Sequence, residues 1–251
     1  MLVFGCCVGP SGKFDTVAAP ALEAVMSAED LLVREQGSDG ICAAYNRILE
    51  TARHTAGCEG VVLLHDDTAL GAGAREQILA GLREASVGVV GAVGGRDLHG
   101  PIWVDARRTA GVANDVYGRR EYGPALADVD VVDGLLLALA PAAFQHLDFD
   151  RTHFPAFHAY DTDYCLQVRA RGLRVRVVPI DYLHVDKGDL GDREAFERGF
   201  AHLRAKWPDR IRPPGPAERR WRAIRQRAAT LSGEARHRLA STLKSLPSRR
   251  P

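Results

Sequence analysis

Short, wholly apolar segments that alternate with helical patterns constrain the fold of this chain more than any other feature. The strand-like segments are Leu2 to Val8, Leu31 to Val33, Gly60 to Leu64 and Val87 to Val93. Strands that are apolar on both faces are typical of a parallel sheet covered by helices on both sides. We therefore expect an α/β fold with its ligands bound at the carboxyl ends of the strands.

The length and composition fit one large domain. The chain has 251 residues, of which 46% are hydrophobic and 26% are charged, as in an ordinary globular protein. It contains no stretch of 18 apolar residues, so we expect no membrane-spanning helix. The five cysteines include no CxxC pair, which indicates reduced thiols in a cytoplasmic protein rather than a disulfide framework or a zinc site.

The C-terminal end differs in charge from the rest of the chain. Residues 203–251 hold 14 Lys/Arg and 3 Asp/Glu, although the whole chain carries a net charge of only +1. Apolar residues recur every three or four positions from Trp221 to Leu246, which predicts a basic amphipathic helix. We therefore divide the chain into a main α/β domain, residues 1–206, and a helical tail, residues 207–251.

Such a tail suits more than one partner. Its basic face would suit the surface of an anionic membrane, whereas its apolar stripe would suit the main domain or a second copy of the chain in a homodimer. Nucleic acid is disfavoured, because no recognised binding module or interleaved aromatic residues accompany the charge. We expect a cytoplasmic protein, peripheral at the inner face of the membrane if the tail binds lipid.

Two adjacent carboxylates follow the third strand-like segment. Gly60 to Leu64 runs directly into His65, Asp66 and Asp67. Two like charges at the end of a buried strand need a cation nearby, and a hard divalent metal with phosphate ligands would supply it. The alternative is one carboxylate that caps the next helix and one that is solvated. The segment alone does not separate the two.

Two later segments add candidate catalytic and metal-binding side chains. Asp161 lies at the predicted start of a helix, where an acidic residue either stabilises the first turn or acts as a general base toward a hydroxyl. His184 follows a predicted strand. A single histidine is more often structural than a ligand, but a metal at Asp67 would favour the second role.

In this order and spacing, the segments resemble the glycosyltransferase family 2-like enzymes of the GT-A fold. The matching motifs are Ala44-Tyr45-Asn46-Arg47, Gly60 to Asp67, Asp133-Gly134 with Ala140 to Phe144, Asp148-Phe149-Asp150, Tyr160 to Gln167 with Arg171-Gly172, and Leu173 to Pro179 with His184. The resemblance covers residues 2–188. It implies a GT-A-type single catalytic domain with a mostly parallel central sheet, covered by helices on both faces and followed by the C-terminal helical extension.

The resemblance also implies an activity. It is that of a metal-dependent, hexosyltransferase-like enzyme that moves a sugar from a nucleotide-diphosphate sugar to an acceptor hydroxyl with inversion. Asp67 and His184 would hold Mn²⁺ or Mg²⁺, Asp66 would meet the donor ribose or the metal, and Asp161 would be the catalytic base. The sugar, the nucleotide base and the acceptor, whether a glycan, a lipid-linked molecule or a small molecule, are not implied.

Further donor contacts come from the same resemblance. The end of the first strand and the loop after it, at Val8 and Gly9, would meet the nucleotide base together with Glu35. Asn46 and Gly134 fall in family motifs that belong to the donor site.

Two residues depart from the family pattern. His65 stands where many members have the first Asp of a DxD motif, which suggests weaker metal binding. Tyr160 replaces the Glu of an acidic pair, which leaves Asp161 as the base and Asp163 as a helix or acceptor-site residue. These departures motivate an alternative: a non-catalytic nucleotide-sugar or glycan-binding module of the same fold, with the tail as a membrane- or partner-binding element.

Two other patterns do not fit established sites. Gly9 to Phe14 follows a strand as a phosphate-binding loop would, but Cys7 stands where a Walker A motif needs Gly and Phe14 where it needs Ser or Thr. The histidines between His146 and His158 lack the HExxH spacing of a zinc site. We interpret that segment as a folded flap beside the acceptor.

Overall fold

The computed structural model describes residues 1–185, 192–212 and 215. Residues Met1–Arg212 form one compact unit. Residues 207–212 belong to this unit, and the rest of the predicted tail apart from residue 215 lies outside the described residues, so the division after residue 206 stays a prediction. Among the described residues, no helix combines the length and apolarity needed to cross a membrane.

Thirteen strands and six α-helices make up the described part of the chain. In chain order the strands are β1 (Leu2–Val8), β2 (Leu31–Gln36), β3 (Gly60–His65), β4 (Thr68–Leu70), β5 (Val87–Gly91), β6 (Val93–Leu98), β7 (Ala106–Asp115), β8 (Gly118–Glu121), β9 (Ala127–Val129), β10 (Val131–Val132), β11 (Leu136–Leu139), β12 (Arg174–Val177) and β13 (Tyr182–His184). The helices are α1 (Ala19–Val25), α2 (Ile41–Arg53), α3 (Ala74–Leu82), α4 (Pro141–Phe144), α5 (Tyr160–Ala170) and α6 (Arg193–Lys206).

The larger sheet has seven strands in the order β2-β1-β3-β11-β5-β12-β9. Strands β1, β2, β3, β5 and β12 run in one direction, and β11 and β9 run opposite to their neighbours. The expected α/β fold with a mostly parallel sheet is confirmed, although the parallel character is partial. An apolar run such as β11 looks the same in either direction, so the sequence does not reveal its reversal.

Alternate residues of the central strands enter two separate hydrophobic cores. Val3, Val61 and Leu63 pack in the core that contains α2 and α5. Phe4 and Val62 pack in the core that contains α1 and α3. Helices thus cover both faces, which is the reason that these strands are apolar throughout.

A second sheet, ordered β10-β6-β7-β13-β4 with β8 beside β7, occupies most of the segment from residue 94 to 130. The sequence predicts only loops and short strands there. The sheet that these strands form was not recognised, because β7 is only partly buried and β8 is exposed, so both lack a regular alternation of apolar residues. This sheet matters for the site, because β13 pairs with β4 and aligns His184 with Thr68.

Two local contacts of acidic residues bear on the sequence analysis. Gly40 is the N-cap residue of α2, and the neighbouring Asp39 forms an ion pair with Arg47. Asp163 is 1% exposed and accepts hydrogen bonds from Lys206 and from the Trp207 indole. It therefore anchors the end of α6 and is not an acceptor-site residue.

Candidate active site

The carboxyl ends of three parallel strands bring the first candidate residues together. In the ladder, Cys7 of β1 is the partner of both Glu35 and His65, so the chain leaves the three strands at one edge of the sheet. The backbone amide of Gly9 then donates to Oδ2 of Asp66 over 2.9 Å. The loop after β1 and the loop after β3 are therefore tied to each other at the expected ligand-binding edge.

Three side chains that can ligate a metal meet beside this edge. One ligand atom each from His65, Asp67 and His184 lies within 4.8 Å of the other two. The pairing of β13 with β4 produces this meeting, and the amide of Val185 also donates to the Asp67 carbonyl over 3.0 Å. The structure thus unites Asp67 and His184, which are 117 residues apart in the chain.

The electrostatics of Asp67 suit a cation. Its side chain is nearly buried, with Oδ1 3.2 Å from Nε2 of His184 and Oδ2 3.4 Å from Nζ of Lys13. Burial alone would raise the pKa of Asp67, but its interaction with His184 and the charges of His184, His65 and Lys13 lower it to about 2. The carboxylate is therefore ionised at neutral pH.

The donor set also fits a metal. Oδ1 of Asp67 is buried and accepts no hydrogen bond of regular geometry from the described residues, although Nε2 of His184 lies at contact distance. Buried carboxylate oxygens normally accept well-aligned hydrogen bonds, so an oxygen without one is free to coordinate a cation. Two imidazoles and one carboxylate form a set that divalent transition metals accept readily.

Two residues of this site were not recognised from the sequence. His65 was interpreted as a weakened DxD position, yet its ring is one of the three side chains that could hold a metal ion. Lys13 was considered only within a failed phosphate-loop motif, yet its ammonium group lies beside Asp67. The sequence feature that could have identified His65 is its residue type, since the imidazole of histidine is itself a common metal ligand. The position of Lys13 depends on the folding of the loop and carries no sequence signal.

The candidate base lies at the start of α5, as predicted. The backbone amide of Gly134 donates to Oδ2 of Asp161 over 3.0 Å. Burial, followed by the charge of Asp133, raises the pKa of Asp161 to about 7. A carboxylate with this pKa accepts a proton near neutral pH far more readily than an ordinary aspartate does.

The backbone before α5 is strained. Ala159, the residue before the helix, has φ of 65°, a left-handed conformation that a residue with a Cβ rarely adopts. Such a residue costs on the order of 1–3 kcal/mol and persists only where the surroundings impose it. The strain lies directly before Tyr160 and Asp161, so it sets the direction in which the two side chains leave the helix.

His65, His184 and Asp161 all line one open cleft of about 780 Å³. This volume falls within the range of small-molecule sites. Aromatic rings line another part of the cleft, and they belong to Trp103, Tyr117, Tyr122, Phe157 and Tyr182. The cleft therefore combines a candidate metal site, a carboxylate with a raised pKa and an aromatic wall.

The other predicted donor residues fall in different places. Asn46 uses both polar atoms on the backbone of Phe149, with bonds of 2.9 and 2.8 Å, so we correct its predicted donor contact to a structural role. Glu35 accepts from Arg47 over 2.7 Å at the sheet edge. Val8 ends β1 there and is nearly buried. The contacts of Val8, Gly9 and Glu35 with a nucleotide stay predictions.

Sequence comparisons relate the chain to known proteins. A family model described as "Glycosyltransferase like family" matches residues 21–188. The streptomycin biosynthesis protein StrF of Streptomyces griseus is 28% identical over 227 residues, which cover 87% of this chain and 78% of StrF.

A solved structure of low sequence identity shows a related fold. The crystal structure of GalNAc-T7 with UDP, GalNAc and Mn²⁺ aligns with a TM-score of 0.53 and 10% identity, over 76% of this chain and 44% of that one. The A197 protein from STIV aligns with a TM-score of 0.47 and 13% identity, over 73% of this chain and 84% of that one.

The raised pKa of Asp161 predicts how stability changes with pH. The folded-state pKa of Asp161 is about 7 and the unfolded value is ~3.9, so between these pH values the folded state binds one proton more than the unfolded state. Stability from this group is complete below about pH 4 and is lost as the pH rises through about 7. We expect Asp161→Asn to melt higher than the wild type at pH 8, with a smaller advantage at pH 5. A melting difference that is constant with pH would contradict the raised pKa.

Proposed function

The chain belongs to the glycosyltransferase-like family and is a glycosyltransferase, and on that premise we propose which reaction it performs. It transfers a sugar from a nucleotide-diphosphate sugar to an acceptor hydroxyl, with inversion and with the help of a divalent metal. The observation that carries the proposal is the single cleft lined by His65, His184 and Asp161. A metal-ligating site and a carboxylate with a raised pKa are the two parts that such a reaction needs.

Each side chain then has a separate task. His65, Asp67 and His184 would hold a divalent cation, which as a Lewis acid would offset the charge that grows on the diphosphate leaving group. Asp161 takes the proton of the acceptor hydroxyl while the hydroxyl oxygen attacks the anomeric carbon from the face opposite the diphosphate. The Gly134 amide keeps Oδ2 of Asp161 in place for this step.

Lys13 strengthens the leaving-group side of the site. Its ammonium group lies 3.4 Å from Asp67, so it reaches the same position as the metal ligands. A positive charge there favours the binding of a diphosphate and stabilises the negative charge that grows on the diphosphate as it leaves. The backbone amide of Gly9, which bonds Asp66, fixes the loop that carries Lys13.

The donor set favours Mn²⁺ over Mg²⁺. Mg²⁺ prefers oxygen ligands in regular octahedral geometry, whereas two of the three protein ligands here are imidazole nitrogens. The family's DxD pattern would supply a carboxylate at position 65. The replacement by His65 therefore changes the choice of metal rather than removing the site.

The acceptor binds against the aromatic wall of the cleft. Tyr117 is 66% exposed and Phe157 is 50% exposed, so both rings can cover the apolar face of a ligand. Trp103 donates its indole N–H to Asp133, which fixes the ring at the cleft wall. Together with Asp161, these groups suit a hydroxylated ring compound, either free or as part of a glycan or a lipid-linked molecule.

The alternative of a non-catalytic binding module loses its motivation. It depended on His65 and Tyr160 as independent losses from the family pattern. In the structure the two side chains form a 2.8 Å hydrogen bond with each other inside the site. Cytoplasmic localisation, membrane contact through the tail and homodimer formation stay proposals from the sequence.

The proposal predicts a division of roles between Asp67 and Asp161. In Asp161→Asn, loss of the base should lower donor turnover by about 10²–10⁴-fold, while Mn²⁺-dependent stabilisation by a nucleoside diphosphate is retained. In Asp67→Ala both should be lost. Release of nucleoside diphosphate from UDP-, GDP-, dTDP- and CDP-sugars measures turnover, and thermal shifts with the four diphosphates, with Mn²⁺ or EDTA, measure binding.

Asp115→Asn is the matched control, because Asp115 lines the same cleft, is paired with Arg120 and has no role in the proposed chemistry. It should keep turnover within a few-fold of the wild type. Full turnover by Asp161→Asn would contradict the role of Asp161 as the base. Nucleotide binding and turnover that are equal in EDTA and in Mn²⁺ would contradict the metal dependence.

The choice of metal can be reversed by one substitution. His65→Asp replaces a nitrogen ligand with a carboxylate, so we expect the stabilisation by Mg²⁺ to rise relative to that by Mn²⁺. Thermal shifts across a concentration series of each metal measure the ratio. His158→Asp adds the same charge to the cleft at a residue outside the trio and should leave the ratio unchanged. An equal effect of both variants would show that charge alone is responsible.

A further inference from the structure

Tyr160 stands between the candidate metal site and the candidate base. We propose that it is a positioning residue that fixes the tautomer of His65, so that Nδ1 of His65 carries the lone pair offered to the metal. This inference rests on the proposed metal-dependent function. It concerns a residue that makes no contact with the metal itself.

The hydrogen bonds of the Tyr160 hydroxyl determine which nitrogen of His65 is protonated. The hydroxyl has one hydrogen, and it donates to the carbonyl oxygen of Gly134 over 3.0 Å, where the oxygen can only accept. The same hydroxyl lies 2.8 Å from Nε2 of His65. With its hydrogen already used, the Tyr160 oxygen must accept there, so the hydrogen of this second bond belongs to Nε2.

The tautomer of His65 follows from this assignment. A neutral imidazole carries one hydrogen, so a ring with N–H at Nε2 has its lone pair at Nδ1. Nδ1 forms no hydrogen bond with the residues that the structure describes, while the ring belongs to the trio with Asp67 and His184. A hydrogen bond to one ring nitrogen of a metal-binding histidine commonly fixes the tautomer and direction of the other.

The surroundings hold the Tyr160 hydroxyl in this position. Tyr160 is 3% exposed, and its ring packs against Tyr45 and Phe149 with ring centroids 5.8 and 6.1 Å apart. A Cβ on residue 134 would lie 2.4 Å from the Tyr160 hydroxyl oxygen, so only glycine lets the phenol approach that carbonyl. These contacts therefore fix the phenol oxygen between the Gly134 carbonyl and the His65 ring.

The two departures from the family pattern thus depend on each other. An aspartate at position 65 would need no tautomer, whereas a histidine there must present the correct nitrogen. Tyr160 meets that need and is adjacent in the chain to Asp161. Both residues contact the backbone of Gly134, so the metal ligand and the base share one fixed point.

Tyr160→Phe tests the inference, with Tyr164→Phe as its matched control. Tyr164 lies one turn later in α5 and stacks on Phe149 at 4.2 Å, but its buried hydroxyl has no hydrogen-bond partner among the described residues. Both variants lose one buried hydroxyl from the same helix. Only the first loses the bond to His65.

Two readouts separate positioning from stability. ¹⁵N NMR of histidine in the metal-free protein should show His65 protonated at Nε2 in the wild type and in Tyr164→Phe, with a mixture of tautomers in Tyr160→Phe. The signal of unbound Mn²⁺ in electron paramagnetic resonance measures affinity for the metal alone. We expect about 10–100-fold weaker binding in Tyr160→Phe, the usual effect of removing such a partner, and unchanged binding in Tyr164→Phe.

The outcomes distinguish this inference from the proposed function. Protonation of His65 at Nδ1 in the wild type, or Mn²⁺ affinity in Tyr160→Phe equal to that of the wild type, would overturn the role of Tyr160 and leave the glycosyl transfer intact. A wild-type protein that fails to bind Mn²⁺ would overturn the ligand role of His65 together with the proposed metal dependence.

Discussion

The backbone of Gly134 is the constraint on which the candidate site depends. Its amide bonds Asp161, and its carbonyl receives the hydrogen of Tyr160, whose oxygen in turn bonds His65. A side chain at this position would collide with Tyr160 and with Cβ of Asp161 at 2.9 Å. One glycine residue therefore links Asp161, the candidate base, to the candidate metal site through Tyr160 and His65.

The fold supplies the rest of the site from elements far apart in the chain. The parallel strands β1, β2 and β3 end at one edge, which delivers His65 and the loop that contains Gly9. The pairing of β13 with β4 adds His184, and α5 begins with the residues that contact Gly134. Each piece is attached to a buried element, so the two hydrophobic cores position the elements, and the hydrogen bonds at Gly134 then link their side chains. Such support suits a reaction in which the acceptor and the leaving group must be kept in line.

The sequence predicted the central strands and α5 from their apolar patterns, because such runs mark buried elements. The family resemblance pointed to Asp67, Asp161 and His184, whose roles stay proposals. The sequence did not predict the antiparallel direction of β11, since direction leaves no trace in composition, or the second sheet, whose polar strands show no alternation. Asn46 matched a motif by position, yet its amide is used by the Phe149 backbone. His65 and Tyr160 were interpreted one at a time as losses, because a contact between residues 95 apart in the chain becomes visible only in the folded protein.

The most direct test is the position of Mn²⁺ in crystals of the full chain grown with Mn²⁺ and the nucleoside diphosphate that stabilises the protein most. Anomalous scattering at the manganese edge locates the ion without reference to the coordinates of the protein. The account predicts one strong peak within coordination distance of Nδ1 of His65, a carboxylate oxygen of Asp67 and a ring nitrogen of His184, with the diphosphate on its open side. A peak that lacks His65, or an ion held elsewhere in the cleft, would contradict the assignment of the metal site.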